Sequence, residues 1–252
     1  MSKNEKSVKS TLLDRRSIRR YERETIQEED LQFIFDAIRN TPTSYNGQQF
    51  SVIDVASQEK KEVLYGIIGQ KQIKTCNHFL VFCMDYNKIS KLAVAKGVDM
   101  PPFTDTMDGV TIGIIDASLA MMSAMVAAES CGLGTNAIGY ARTANPKAVS
   151  EILNLPKGVF VVCGLAIGVP REMPDLKPKM PLSAIIHQDC YSEDSLVETL
   201  AAYDEDVKKY NATREGVKTD NDWLNHILGY YSEACKYEIL KALKEQGFDV
   251  KK

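Results

Sequence analysis

Apolar residues recur along this chain at two spacings. In TIQEEDLQFIFDAIRN, residues 25–40, Leu31, Ile34, Phe35 and Ile38 stand at i, i+3, i+4 and i+7, one face of a helix. Thr25 and Glu28 ahead of them have the spacing of a capping box, and Pro42 closes the pattern. FSVIDVAS and FLVFCMD are short β-rich runs that predict sheet strands. GVFVVCGLAIGVP, from Gly158, predicts a long buried strand. CGLGTNAIGY, from Cys131, supplies turn glycines and a short extended piece. NPKAVSEIL predicts a helix with Asn145 as N-cap and Pro146 at its first position.

One stretch is apolar almost all round. GVTIGIIDASLAMMSAMVAA, residues 109–128, is long enough to span a bilayer nominally, but its only charge, Asp116, lies well inside it. Interface anchors are missing from both flanks, so the expectation is a helix buried on every side, in a core or between subunits. From Ser192 onward two helical segments rich in Lys, Glu and Tyr are expected. No repeat, low-complexity tract or linker divides the chain. The expectation is a single domain over 1–252 with a C-terminal helical extension from about residue 192.

Composition narrows the function classes. With 44% hydrophobic and 26% charged residues the chain reads as a globular protein, and a net charge of −3 argues against a general nucleic-acid binder. The polar start MSKNEKSVKS lacks an apolar h-region, so no signal peptide is expected and the cytoplasm is the expected location. The six cysteines form no C-x-x-C pair and read as reduced and structural, and the NAT at Asn211 then as an accidental sequon. His78, His187 and His226 are too scattered for a local metal motif. No phosphate loop or nucleophile elbow is present, and GLGTNAIG lacks the spacing and the preceding strand of a dinucleotide fingerprint. Enzymatic chemistry here would therefore rest on a bound cofactor.

One feature stands out against the acidic background: LLDRRSIRRY places four arginines within six positions. Arg16, Ser17 and Arg19 offer bidentate and hydroxyl donors to one phosphate. On these residues alone a solvated basic loop or a nucleic-acid patch stands as an equal alternative. The interleaved basic and aromatic residues of a nucleic-acid surface are not echoed elsewhere in the chain.

Taken in order, the motifs resemble the nitroreductase family, in its branch of NAD(P)H-dependent flavin reductases and oxygen-insensitive nitroreductases. They are RRSIR, TPTSYNGQQF, GQK before the FLVFCMD strand, AAESCGLG, IGYAR, GLAIGVP and DLKPKMPLSAIIHQDCY, with YDEDVKKYNATR and DNDWLNHI in the tail. The resemblance implies an α+β fold, a central mixed or antiparallel sheet flanked by helices, and an intertwined homodimer with FMN at the subunit interface. It implies that Arg15, Arg16, Ser17 and Arg19 hold the FMN phosphate and the N1/O2 side of the ring. Ser44, Tyr45 and Asn46 would contact the flavin from the partner subunit, and Gln70 its pyrimidine edge. Ile138 and Gly139 would place backbone groups near N5, and Lys177 and Lys179 would complete the anion site.

The implied activity passes hydride from NADPH or NADH through bound FMN, by a ping-pong mechanism, to nitroaromatics, quinones or free flavin. No protein acid, base or metal is required for it. Arg214 and Lys218 would favour the 2′-phosphate of NADPH. A non-catalytic flavin store or sensor is the alternative; neither nucleic acid nor membrane is an expected partner. Three positions depart from the family pattern: Arg15 where His is usual, Tyr140 in place of the second glycine of IGG, and Lys179 in place of Arg. Tyr140 is expected to narrow the pocket over the flavin.

Overall fold

The computed structural model describes residues 6–251; the first half of the polar start, residues 1–5, and residue 252 lie outside the described residues. Helix α1, Val8–Leu13, starts on Ser7, whose hydroxyl accepts from the Ser10 amide. Helix α2, Glu28–Arg39, buries Ile34 and Ile38 as its stripe requires. It does not begin on the expected capping box. Gln27 is the N-cap, no side chain caps it, and Glu28 is already helical. Glu28, Glu29 and Asp30 crowd the first turn instead, where negative charge favours the free amides and the positive end of the helix dipole.

A 3-10 turn, Ser44–Asn46, leads into strand β1, Phe50–Val55. Then come α3, Gln58–Ile68; α4, Gln72–Thr75; β2, His78–Asp85; and α5, Asn87–Lys96. After a second 3-10 turn follow α6, Met107–Ser130; β3, Gly134–Ile138; α7, Tyr140–Thr143; α8, Pro146–Ile152; and β4, Val159–Gly168. The Asn145 carboxamide caps α8 through the Ala148 amide, as its sequence predicts. Beyond Ser192 the expected two helical segments are three: α9, Leu196–Thr213; α10, Trp223–Ala234; and α11, Ile239–Glu245. Two compact units result. Unit 1 holds residues 1–173 together with 238–252, and unit 2 holds residues 174–237.

Unit 1 is an α+β structure around an antiparallel sheet in the order β1-β2-β4-β3. Alternation along β2 divides its core. Leu80, Phe82 and Met84 pack against α6, with Ile34 and Ile38 of α2 and Leu243 of α11 in the same cluster. Phe79, Val81 and Cys83 face the other way, toward Leu64 and Ile68 of α3 and Val149 and Leu153 of α8. β4 keeps the same division only by means of a bulge. Phe82 pairs with Cys163 and Cys83 with Val161, which leaves Val162 as the extra residue. Phe160 and Val162 therefore share a face with Leu165 and Ile167 although the parity has changed. The Val162 carbonyl accepts from Arg142 Nη1 at 2.5 Å.

Helix α6 is long and apolar enough to cross a membrane, yet in unit 1 it lies along the sheet as a core helix. Within the single chain one stripe of it stays uncovered. Ala117, Ala120 and Ala124 are fully buried, whereas Ile114, Ile115, Leu119 and Met122 are exposed. The small residues face the sheet because the backbones run close. A Cβ on Gly113 would lie 2.7 Å from the Met84 Cβ.

Unit 2 is built from α9 and α10 and the extended segment before them. Tyr203 of α9 meets Trp223 of α10 edge to face at 5.7 Å, and its hydroxyl donates to the Pro178 carbonyl.

Candidate active site

The arginine segment is laid along the free edge of β3. Ser17 forms a parallel bridge to Thr135, and the Ile18 amide donates to the Thr135 carbonyl at 2.9 Å. Two contacts fix this close approach. A Cβ on Gly134 would lie 2.8 Å from the Ile18 side chain, so only glycine fits there. Tyr21, buried, donates its hydroxyl to the Ile18 carbonyl at 2.6 Å, and loss of solvent holds its phenol well above its ordinary pKa.

An extended run alternates faces, which puts Arg15, Ser17 and Arg19 on one side and Arg16 with Ile18 on the other. Arg16 accordingly lines a cavity of about 470 Å³ with Ile18, Leu133 and Met173, and its Nη1 lies 2.8 Å from the Met173 Sδ. Glu129, which lies 3.5 Å from Arg15 Nε, lines the same cavity.

Acidic residues missed at the level of sequence organise this segment. Glu129, at the end of α6, is buried. It accepts a short hydrogen bond from Thr135 Oγ1 and lies 3.5 Å from Arg15 Nε. Burial pushes its carboxyl above the ordinary range, against the pull of Thr135 and Arg15. Glu172 accepts from the Arg19 amide at 2.6 Å and the Arg20 amide at 3.1 Å. Neither acid has a sequence signature; each becomes visible only once β3 and the end of β4 lie beside the arginines. The Arg19 guanidinium is left facing solvent, with one contact of 3.4 Å to the Ser17 carbonyl. Among the described residues no carboxylate pairs with it.

Thr135, opposite Ser17, is three residues before Ile138, a separation of about 10 Å along the strand. Ile138 is buried and Gly139 is exposed. A Cβ built on Gly139 meets nothing within 4 Å, so its backbone borders open space. Tyr140 follows Gly139 at the start of α7. Its side chain packs against the cluster that holds Leu64, Ile68 and Ala141.

The segment carrying Ser44, Tyr45 and Asn46 forms its 3-10 turn under strain. Tyr45, Asn46 and Gln48 have φ of 58°, 53° and 50°, each in the left-handed region without being glycine. Such residues cost about 1–2 kcal/mol each, so the turn persists only where its surroundings fix it. Tyr45 is 81% exposed. Gln70 follows the left-handed Gly69 that ends α3, and its Oε1 accepts from the buried Gln72 at 3.0 Å.

Unit 2 carries the remaining candidates. Lys177 and Lys179 are exposed in its extended segment. Arg214 ends α9 and donates from Nε to the Val217 carbonyl at 2.8 Å, which folds the loop so that Lys218 follows directly. The three histidines serve other contacts. His78 Nδ1 is 2.9 Å from both Asp54 oxygens, His187 stacks on Tyr191, and His226 meets Tyr230.

Comparison with known proteins agrees with this fold. Residues 12–169 match the family described as Nitroreductase family, and residues 177–251 match its C-terminal domain. A protein of Bacillus subtilis (strain 168) named FMN reductase, NAD(P)H, is 38% identical over 97% of this chain and 99% of its own length. The oxygen-insensitive NADPH nitroreductase of Salmonella typhimurium is 31% identical over 95% or so of each chain, 94% of this one and 96% of its own. Among solved structures, the hypothetical oxidoreductase YcnD from Bacillus subtilis superposes with a TM-score of 0.93 at 38% identity, covering 97% of this chain and 99% of that one. The NADPH:FMN oxidoreductase from Vibrio harveyi, solved with NAD+, superposes with a TM-score of 0.85 at 27% identity over 97% and 99%. Sequence and fold together place this chain in the nitroreductase family.

Proposed function

We propose that this chain is an NAD(P)H-dependent flavin oxidoreductase that works with bound FMN. The observation that carries the reading is the donor set of Arg15, Ser17 and Arg19, on a segment bridged to β3 at Thr135, the strand that leads into the open backbone of Gly139. The residues fit a flavin nucleotide. The Arg15 Nε is buried, makes no hydrogen bond and lies 3.5 Å from Glu129, and the Arg19 guanidinium faces solvent. Donors of this kind suit a phosphate.

When bound, FMN supplies the hydride chemistry that connects a nicotinamide donor with a nitroaromatic, quinone or flavin acceptor. The chain's part is to bind and orient. Arg15, Ser17 and Arg19 grip phosphate and keep positive charge beside the N1/O2 side of the ring. Ile138 and Gly139 present backbone groups to the ring, and Gln70 offers a carboxamide to the pyrimidine edge. Tyr45 and Asn46 reach the flavin of a partner subunit, for which the exposed α6 stripe of Ile114, Ile115, Leu119 and Met122 supplies a docking face. In unit 2, Arg214 and Lys218 supply positive charge for the phosphate of NADPH, and Lys177 and Lys179 are exposed cations suited to an anion.

An anaerobic absorption spectrum tests the proposal, taken after incubation with FMN and then with NADPH or NADH. A flavin band that bleaches with a nicotinamide nucleotide is expected. A protein that retains no flavin, or a retained flavin that neither nucleotide bleaches, overturns the reading.

A further inference from the structure

The strained turn that presents Tyr45 and Asn46 is tied to α6 at two points. The Asp116 side chain is completely buried, and its Oδ1 accepts from the Ser44 amide at 3.0 Å. Seven residues on, the Ser123 hydroxyl accepts from Thr41 Oγ1 at 2.9 Å. Seven residues are two helical turns, so both ties lie on one face of α6, about 10.5 Å apart. Ala120, between them, is fully buried.

The turn's own bonds do not replace these ties. Asn46 N donates to the Thr43 carbonyl at 3.2 Å, Gly47 N to the Ser44 carbonyl at 2.9 Å, and Gln48 N to Thr43 Oγ1 at 3.2 Å. All three close the loop on itself; its far end is held separately, by Lys88 Nζ on the Gln48 carbonyl at 3.2 Å, and its first residue by Asp116. Among the described residues the only side chain bonded to the Ser44 amide is that of Asp116, a carboxyl group buried in the middle of α6. Burying a carboxylate in an apolar helix is unfavourable unless it holds a donor, and here the donor is the first amide of the turn.

We propose that Asp116 is a positioning residue for the flavin site: it fixes the 43–48 turn so that Tyr45 and Asn46 are held ready for the cofactor. The role rests on the flavin reading above. It concerns the acceptor oxygen that Asp116 offers Ser44, so an amide oxygen in the same place serves equally.

The test compares Asp116→Ala with Asp116→Asn by hydrogen exchange across residues 40–50 in the full chain and by FMN titration. In the alanine variant, exchange at Ser44 is expected to rise about tenfold or more and FMN to bind about tenfold or more weakly, the loss expected when a buried backbone donor is left without its partner. Asp116→Asn is expected to restore both toward the parent values. If Asp116→Ala fails to fold, Ser44→Pro removes the donor instead. The extended backbone of Thr43 (φ −135°, ψ 156°) and the first position of a helical turn both accept proline, and exchange at Asn46 and Gly47 is then expected to rise. Parent-like exchange and FMN affinity in Asp116→Ala, or an asparagine variant as impaired as the alanine one, overturns this inference alone. A parent protein that takes up no FMN overturns the flavin reading, and this role with it.

Discussion

Replacing Arg19 by alanine separates binding from folding more cleanly than any other change in the basic segment. The side chain is exposed, and its one contact is 3.4 Å from the Ser17 carbonyl. Its removal is therefore expected to change stability by no more than about 0.5 kcal/mol. The segment itself stays in place, because it is held by the Glu172 carboxylate on the Arg19 amide and by the Ile18 amide on Thr135. A charge-assisted hydrogen bond to phosphate is worth about 1.5–3 kcal/mol, so Kd for FMN should rise about 10- to 150-fold. Titration by quenching of FMN fluorescence at fixed ionic strength reads this directly. Arg39→Ala is the control. That guanidinium is also exposed and lies 3.0 Å from Asp36, so its loss changes net charge equally but far from the segment. An Arg19→Ala protein whose Kd stays within about twofold of the parent, with the control unchanged, would refute the assignment of this face to phosphate.

Three further outcomes follow from the same geometry. Gly134→Ala puts a Cβ 2.8 Å from Ile18; a loss of about 1–3 kcal/mol by urea denaturation, together with weakened FMN binding, is expected, and an unaltered midpoint contradicts the close approach. Glu129 has its carboxyl raised above the ordinary 4.5 by burial, so between that value and its folded one the native state holds more protons than the unfolded state. Stability should therefore fall as pH rises through that window, and Glu129→Gln should flatten the slope; an equal slope in both proteins counts against it. The thiols of Cys76 and Cys83 are pushed up to about 12 by burial, so iodoacetamide should label them only on unfolding, while the exposed Cys190 and Cys235 react in the native chain. Labelling of Cys83 as fast as Cys235 would show that the β2 layer opens readily.

The elements that could be read directly are those where local pattern and tertiary environment agree. Ile34 and Ile38 of α2 and the alternating residues of β2 face where their spacing places them. The α2 start was misread because Thr25 has the spacing of a cap, while the acids that follow it begin the helix without one. The division of α6 was not legible for a different reason: Ala117, Ala120, Ala124 and Gly113 face the sheet while Ile114, Ile115 and Leu119 are exposed in the single chain and Ile112 is buried, a sorting that a count of apolar residues does not give. At the site, the arginines were legible because they are local. Their placement beside β3 depends on the bridge to Thr135. Glu129 and Glu172 were not legible, because what makes them matter is a long-range neighbour.

The return of α11 to unit 1 has a consequence for biosynthesis. Phe248 is fully buried in the cluster that also holds Leu80, Phe82 and Ile34. The last side chain of that core thus emerges only after all of residues 174–237 have been translated. At about 5–20 residues per second, translation from residue 174 to 248 takes roughly 4–15 s, during which the sheet waits with an open seam. Unit 2 is thus a detour within the sequence of unit 1. A ribosome stalled inside that detour holds a nascent chain whose first core is still unsealed, a natural client for holdase chaperones.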